Sequence, residues 1–151
     1  MTSPHHRKLE TMYRRAPINR LYEPAITIED GGATIEIAVK PEYFHAAGAV
    51  HGAVLFKMLD DACFFAAASR VHDVFVLTVS FTTYMTRPVT EGRLTSHGRV
   101  VHAGKNLLLA EAVLSVVGGK EVARGNGSFM RSSIALGEEL GYAEGPATTP
   151  R

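Results

Sequence analysis

The chain has 151 residues, 46% of them hydrophobic and 21% charged, with one cysteine and no tryptophan. That length suits one compact domain, and the composition is that of a folded globular chain rather than a disordered one. Sixteen Lys and Arg against fifteen Asp and Glu leave a formal charge of +1, too little for a broad basic face that would hold nucleic acid. The lone Cys63 excludes an intramolecular disulfide and any multi-cysteine zinc site.

Residues 1–8 lead into no apolar segment, so no signal peptide is expected. The longest apolar stretch is broken by Lys57, Asp60 and Asp61, so no membrane span is expected either, and a cytoplasmic location follows as an expectation. Residues 4–16 carry Leu9, Met12 and Tyr13 at helical spacing between Pro4 and Pro17, which predicts a short surface helix. Alternating apolar residues over 26–29 and 33–39 flank Asp30-Gly31-Gly32, the pattern of a β-hairpin. Residues 40–51 form a loop. From Gly52 to about Arg70, Ala, Leu, Met and Phe predict a helix whose apolar surface runs almost all the way round, so it must be enclosed.

Four long strands are predicted over 74–87, 93–102, 105–117 and 121–133, separated by Gly- and Pro-containing turns. Within the first, Leu77, Val79, Phe81 and Met85 alternate with Thr78, Ser80, Thr82 and Tyr84. The order β-β-α-β-β-β-β with short connections favours an antiparallel meander, giving an α+β domain of about six strands wrapped round one helix. The division expected is 1–19 as N-terminal helix and linker, 20–135 as the folded domain, and 136–151 as a flexible tail rich in Gly, Glu, Pro and Thr.

The informative segment is His45 to Ala53 together with the helix behind it. Asp61 follows Lys57 by four residues, so a surface ion pair accounts for it. Asp60 instead has Phe56 and Phe64 as its four-residue neighbours, which places its carboxyl at an apolar margin where burial favours the protonated acid. Such a group suits proton transfer, or it hydrogen-bonds a neighbouring loop; spacing alone does not choose. Gly52 opens the helix, where free N–H groups and the positive end of the helix dipole could hold an oxygen that becomes negative, or where glycine merely permits the bend. His45 and His51 have no zinc-ligand spacing, so no metal is expected, and each either touches substrate or water or is an exposed loop residue. There is no Gly-x-Ser-x-Gly, and Cys63 inside the helix reads as core.

Taken in order, His51-Gly52-Ala53, Asp60 nine residues after the His, Thr78-Val79-Ser80-Phe81-Thr82-Thr83-Tyr84-Met85-Thr86-Arg87-Pro88, Glu91-Gly92, His102-Ala103-Gly104-Lys105 and the run Gly119 to Phe129 resemble the hotdog-fold acyl-CoA thioesterases of the phenylacetic-acid-degradation type. The resemblance covers roughly residues 20–133. It implies that Asp60 is the nucleophile or the general base, that the Gly52 N–H polarises the thioester carbonyl, and that His45 stands where a polar residue, often Asn, positions substrate or water. Ala53 stands where a second Gly is common. The resemblance further implies substrate contacts from His51, Ala53, Thr78 and Ser80, and a CoA site near His102, Gly104 and Lys105, with Lys105 meeting phosphate as a point charge. It implies no cofactor beyond the CoA of the substrate, and a homodimer joined edge to edge by its sheets, often a dimer of dimers, with each site built from both chains.

Hydrolysis of an acyl-CoA thioester is therefore the leading expectation. The alternative is a non-catalytic acyl-CoA sensor or carrier on the same fold, in which Asp60 would be dispensable. A hydratase is disfavoured because no His lies between Gly52 and Val71.

Overall fold

In the computed structural model, which describes residues 2–145, the helix predicted to need enclosure is enclosed. It is α3, Gly52–Ala68, and Leu59, Ala62, Cys63, Ala66 and Ala67 along it are fully buried. Before it come α1 (Pro4–Arg15), a one-turn helix α2 (Asn19–Tyr22), β1 (Ala25–Glu29) and β2 (Gly32–Ala38). After it come β3 (Val74–Met85), β4 (Arg93–Ala103), β5 (Leu107–Val116) and β6 (Glu121–Ala135). All six strands form one antiparallel sheet curved round α3, the α+β arrangement that the hotdog resemblance implies.

The strand order is β1-β2-β4-β5-β6-β3, so the expected meander is corrected at one strand. The chain leaves β2, crosses behind the sheet as α3, and re-enters as β3 at the far edge beside β6. Burial explains the detour. A helix apolar on nearly all sides is covered only if the strands before and after it lie on opposite sides of its axis.

Helix and sheet come close at Gly98 in β4. A Cβ built there would lie 2.3 Å from the Ala62 carbonyl oxygen and 2.9 Å from the Cys63 nitrogen, so only glycine lets α3 settle this near the sheet. The alanines of its second half serve the same close approach.

The alternation expected along β3 does not run through. A register shift between Thr78 and Ser80 leaves Val79 as the extra residue of a β-bulge, and the strand changes face there. Val76 and Thr78 point toward α3 before it; Phe81 and Met85 do so after it. Phe81 lies over Gly125 and Gly127 of β6, where any Cβ would come within 2.6 Å of the strand or ring, and meets Phe56 of α3 edge-on at 5.5 Å between centroids. Ser80 falls on the outer face, where its hydroxyl meets that of Ser128 at 2.6 Å.

The first and last described segments are docked on the core. α1 is capped by Ser3, whose Oγ accepts from the His6 N–H, and it buries Leu9, Met12 and Tyr13. Its Glu10 carboxylate accepts the Ile28 N–H, covering part of the exposed edge at β1. The flexible tail expected from residue 136 onward is corrected as far as residue 145: Leu136, Leu140 and Tyr142 pack on the core. The Tyr142 hydroxyl donates to His5 Nδ1 at 2.7 Å, while His5 Nε2 donates to the Ala68 carbonyl at the end of α3. Composition missed this because three aromatic or aliphatic anchors suffice to dock a polar segment. The remaining tail, 146–151, lies outside the described residues.

A Gly98→Ala variant is expected to lose about 2–3 kcal/mol of stability, since backbone rather than a flexible side chain meets the new methyl. Urea denaturation of variant and parent, compared at equal slope, checks it.

Candidate functional site

Three features that could act chemically sit on or against α3. The first is its N-terminus. His51 is the N-cap, and its Nδ1 accepts the Ala53 N–H at 2.9 Å, while the Val54 N–H bonds the His51 carbonyl. The Gly52 N–H is left with no acceptor among the described residues. One donor of the first turn thus faces outward with the helix dipole behind it. His51 has become a structural cap, and an accepting Nδ1 places its proton on Nε2. Ala53 contributes no free N–H, only an exposed methyl.

Gly52 lines an open cavity of about 300 Å³ together with His45, Met85, Thr86 and Arg87. A Cβ at Gly52 would stand 2.9 Å from Met85 Sδ, so the glycine keeps the approach to its own N–H clear. His45 is exposed at the cavity wall, its Nδ1 accepting the Ala47 N–H at 3.1 Å, which again leaves Nε2–H as a donor. The two imidazoles lie 6.4 Å apart, and among the described residues no group of three ligating side chains gathers to hold a metal ion.

The second feature is Asp60, half-buried in the middle of α3. Its Oδ1 accepts the Thr78 hydroxyl at 2.9 Å. Burial pushes its carboxyl above the ordinary carboxylate range; the Thr78 bond pulls the other way, Asp61 adds to the rise and Lys57 offsets it. It stands in the wall of a second cavity, also about 300 Å³ and mostly apolar, with Tyr13, Phe64, Phe75 and Leu77 among its lining.

The third is Asp61, where the expected surface pair is corrected. Lys57 does pair with it, but beneath α1: both side chains are under one-fifth exposed, and the Tyr13 hydroxyl donates to the same carboxylate oxygen at 2.8 Å. The Lys57 ammonium also lies over the Tyr13 and Tyr22 rings, at 5.3 and 5.2 Å from their centroids. No reading of helix spacing reveals that Tyr13, 48 residues before Asp61, covers this pair. Asp61 has two donors on Oδ2, one of them charged, whereas Asp60 has one neutral donor and lines an open cavity.

Gly52 and Asp60 are eight residues apart, about 12 Å along the helix axis, and they open into different cavities. α3 and β3 run in opposite directions, so Gly52 meets the end of β3 at Met85 and Asp60 meets Thr78. Of the other residues singled out by sequence, Thr78 joins Asp60, while Ser80 lies across the bulge on the outer face beside Glu111 and Asn126. His102, near the end of β4 opposite Leu109, and Gly104 and Lys105 in the β4–β5 turn line neither cavity. Two cations line the cavities instead: Arg87 that of Gly52, and Lys57, paired with Asp61, that of Asp60.

Residues 47–123, slightly more than half of the chain and the whole of α3 with it, match the family model described as the thioesterase superfamily. The chain belongs to the thioesterase superfamily. A protein of Archaeoglobus fulgidus named as a candidate esterase is 30% identical over 95 residues, 62% of this chain and 60% of its own length. One of Saccharolobus solfataricus, named likewise, is 26% identical over 104 residues, 69% of this chain and 74% of its own. Among solved structures, the E. coli PaaI protein from the phenylacetic acid degradation operon superposes with a TM-score of 0.78 over 88% of this chain and 99% of its own; at 22% identity that likeness is one of fold. A thioesterase family protein from Silicibacter pomeroyi gives 0.77 at 25% identity, over 83% and 96%. For a thioesterase-superfamily chain, the unpaired Gly52 N–H and the half-buried Asp60 are the groups whose chemistry has to be accounted for.

If ionised Asp60 is required, activity falls as the solution is acidified through its raised pKa, so the acid limb of kcat/KM should lie above the ordinary carboxylate range. Thr78→Val removes the hydrogen bond that holds this pKa down and should move the limb to higher pH. A pH–rate profile of parent and variant reads both; a limb that stays put would detach Asp60 from it.

Proposed function

We propose that the protein hydrolyses an acyl-CoA thioester to the free acid and CoA, at a site shared between two copies of the chain. The observation that carries this reading is the separation of its two reactive groups. The free N–H of Gly52 is where a carbonyl oxygen can be stabilised, and the Asp60 carboxyl is where water can be activated, yet within one chain they face different cavities.

A second copy supplies the missing half. β3 is an edge strand with Leu77 47%, Val79 59% and Met85 47% exposed, an apolar edge that pairing with another strand would cover. Pairing of two β3 strands about a two-fold axis midway between Thr78 and Met85 would set Asp60 of one chain beside Gly52 of the other. An isologous contact of this kind creates two equivalent sites.

The chemistry at each site follows from the groups. Asp60 takes a proton from water as the oxygen bonds to the thioester carbon, and the carbonyl electrons move to an oxygen held by the Gly52 N–H. Collapse breaks the C–S bond, with the Asp60 proton passing to the departing sulfur. Attack by the carboxylate itself, through an anhydride that water then opens, uses the same groups. His45, with Nε2–H available in the Gly52 cavity, orients water or the carbonyl. Arg87 stands at the same cavity, and its charge suits the phosphates of CoA.

Asp60→Asn should lower kcat by roughly 10²-fold or more while thermal stability holds. Gly52→Pro deletes the donor at the first helical position, where proline is tolerated and His51 already has an extended backbone, and should cost roughly 10²- to 10³-fold. Gly52→Ala keeps the N–H and separates crowding against Met85 from loss of the donor. Co-expressing the Asp60→Asn and Gly52→Pro chains should restore about a quarter of the parent rate, because mixed dimers hold one intact site. Thiol release from acyl-CoA is the measurement, and a mixture as inactive as its components would place both groups in one chain.

A further inference from the structure

The cavity beside Asp60 has two walls of different origin. Phe64, Phe75 and Leu77 come from the segment matched to the superfamily, whereas Met12, Tyr13, Ala16, Ile18 and Asn19 come from the N-terminal segment outside it. We infer that α1, α2 and the turn between them form the end wall of an acyl chamber, and that Ala16 and Ile18 set the size of the acyl group admitted. This inference rests on the thioester reading of Asp60 and names what that site accepts.

Chemistry and size point the same way. The chamber is lined chiefly by aromatic and aliphatic groups, and most of its polar members are engaged within the fold: Lys57 and Asp61 pair with each other and with Tyr13, and Thr78 donates to Asp60. Among the described lining residues, Asp60 and the buried, unpartnered Asn19 Oδ1 are left as acceptors in an otherwise apolar space. Its volume, about 300 Å³, is roughly twice that of an apolar cavity known to hold one benzene ring, ~150 Å³. The occupant is therefore an uncharged, apolar acyl group of medium size, larger than acetyl.

The end wall is held in place rather than draped. Asn19, 3% exposed, donates from Nδ2 to the Tyr13 carbonyl at 2.6 Å and ties α2 to the last turn of α1. The Ala16 N–H bonds back to Met12 and Tyr13, and the Tyr43 hydroxyl donates to the Leu21 carbonyl. On that frame Ala16 leaves space that a larger side chain would fill, and Ile18, 53% exposed, stands at the rim.

The chain contains no tryptophan, so Ile18→Trp places a single indole at the rim of the chamber without disturbing the core. Its emission should shift to the blue and saturate with decanoyl-CoA but not with acetyl-CoA or CoA, and adding Ala16→Phe should abolish the response. In the enzyme itself, Ala16→Phe should lower the ratio of kcat/KM for decanoyl-CoA to that for acetyl-CoA by about tenfold or more. A saturable shift without thioester hydrolysis would keep the chamber and remove the hydrolase reading. Hydrolysis of decanoyl-CoA with no shift, or with a ratio unchanged by Ala16→Phe, would overturn the chamber and leave the hydrolase reading standing. Neither hydrolysis nor a shift would overturn both.

Discussion

The structure depends on one enclosed helix. α3 is apolar nearly all round, and six strands curve about it to remove it from water. Burial on that scale is the dominant favourable term available to a chain of this size. Gly98, where the Ala62 carbonyl leaves no room for a Cβ, shows how tightly the sheet is drawn in. A helix so confined cannot shift to suit a substrate, so whatever polar group it carries is held at a fixed place in an apolar setting. That is the condition under which a carboxyl acquires an altered proton affinity and an N-terminal N–H acts on an oxygen rather than on water.

The same confinement separates the two groups. A straight helix of seventeen residues cannot bring its first residue and its ninth to one point, and the strand beneath runs the other way, pairing each with a different part of β3. A site requiring both must be completed from outside the chain. The edge strand that would receive the second copy is the one that α3 delivers to the far side of the sheet. Enclosing the helix, exposing the edge and setting Gly52 and Asp60 apart are thus one solution to one packing problem.

Much of this was legible in residue order. The apolar circumference of 52–70, the strand periods after it and the ordered motifs from His51 to Phe129 identify the fold and single out Gly52 and Asp60. What escaped are features that depend on a third dimension. The bulge at Val79 inserts one residue without changing the alternating pattern, so Thr78 and Ser80 read as neighbours on one face although they lie on opposite faces. The place of β3 in the sheet follows from how α3 must be covered, which local pattern does not encode. The docking of residues 136–145 turns on Tyr142 reaching His5, a contact spanning nearly the whole chain. His51 could not be recognised as a cap because histidine is an uncommon choice for that position.

The adjacent carboxylates show how far a single residue of helix register can divide two like groups. Successive side chains are turned by about 100°, so Asp61 points under α1 while Asp60 points toward β3. For Asp61, burial is the larger effect and pushes its carboxyl up, while the Lys57 charge and the bonds from Lys57 and Tyr13 pull it back down. Asp60 receives one hydroxyl, from Thr78, and the neighbouring Asp61 and Lys57 act on it in opposite senses, so burial decides its proton affinity. Lys57 pulls the proton affinity of both acids down, so removing it would push both up further, which couples this pair to the acid next to it. The pair beneath α1 therefore does more than hold the N-terminal segment down. It keeps the second acid from dominating the first, and by fixing Tyr13 it also fixes the wall against which an acyl group would lie.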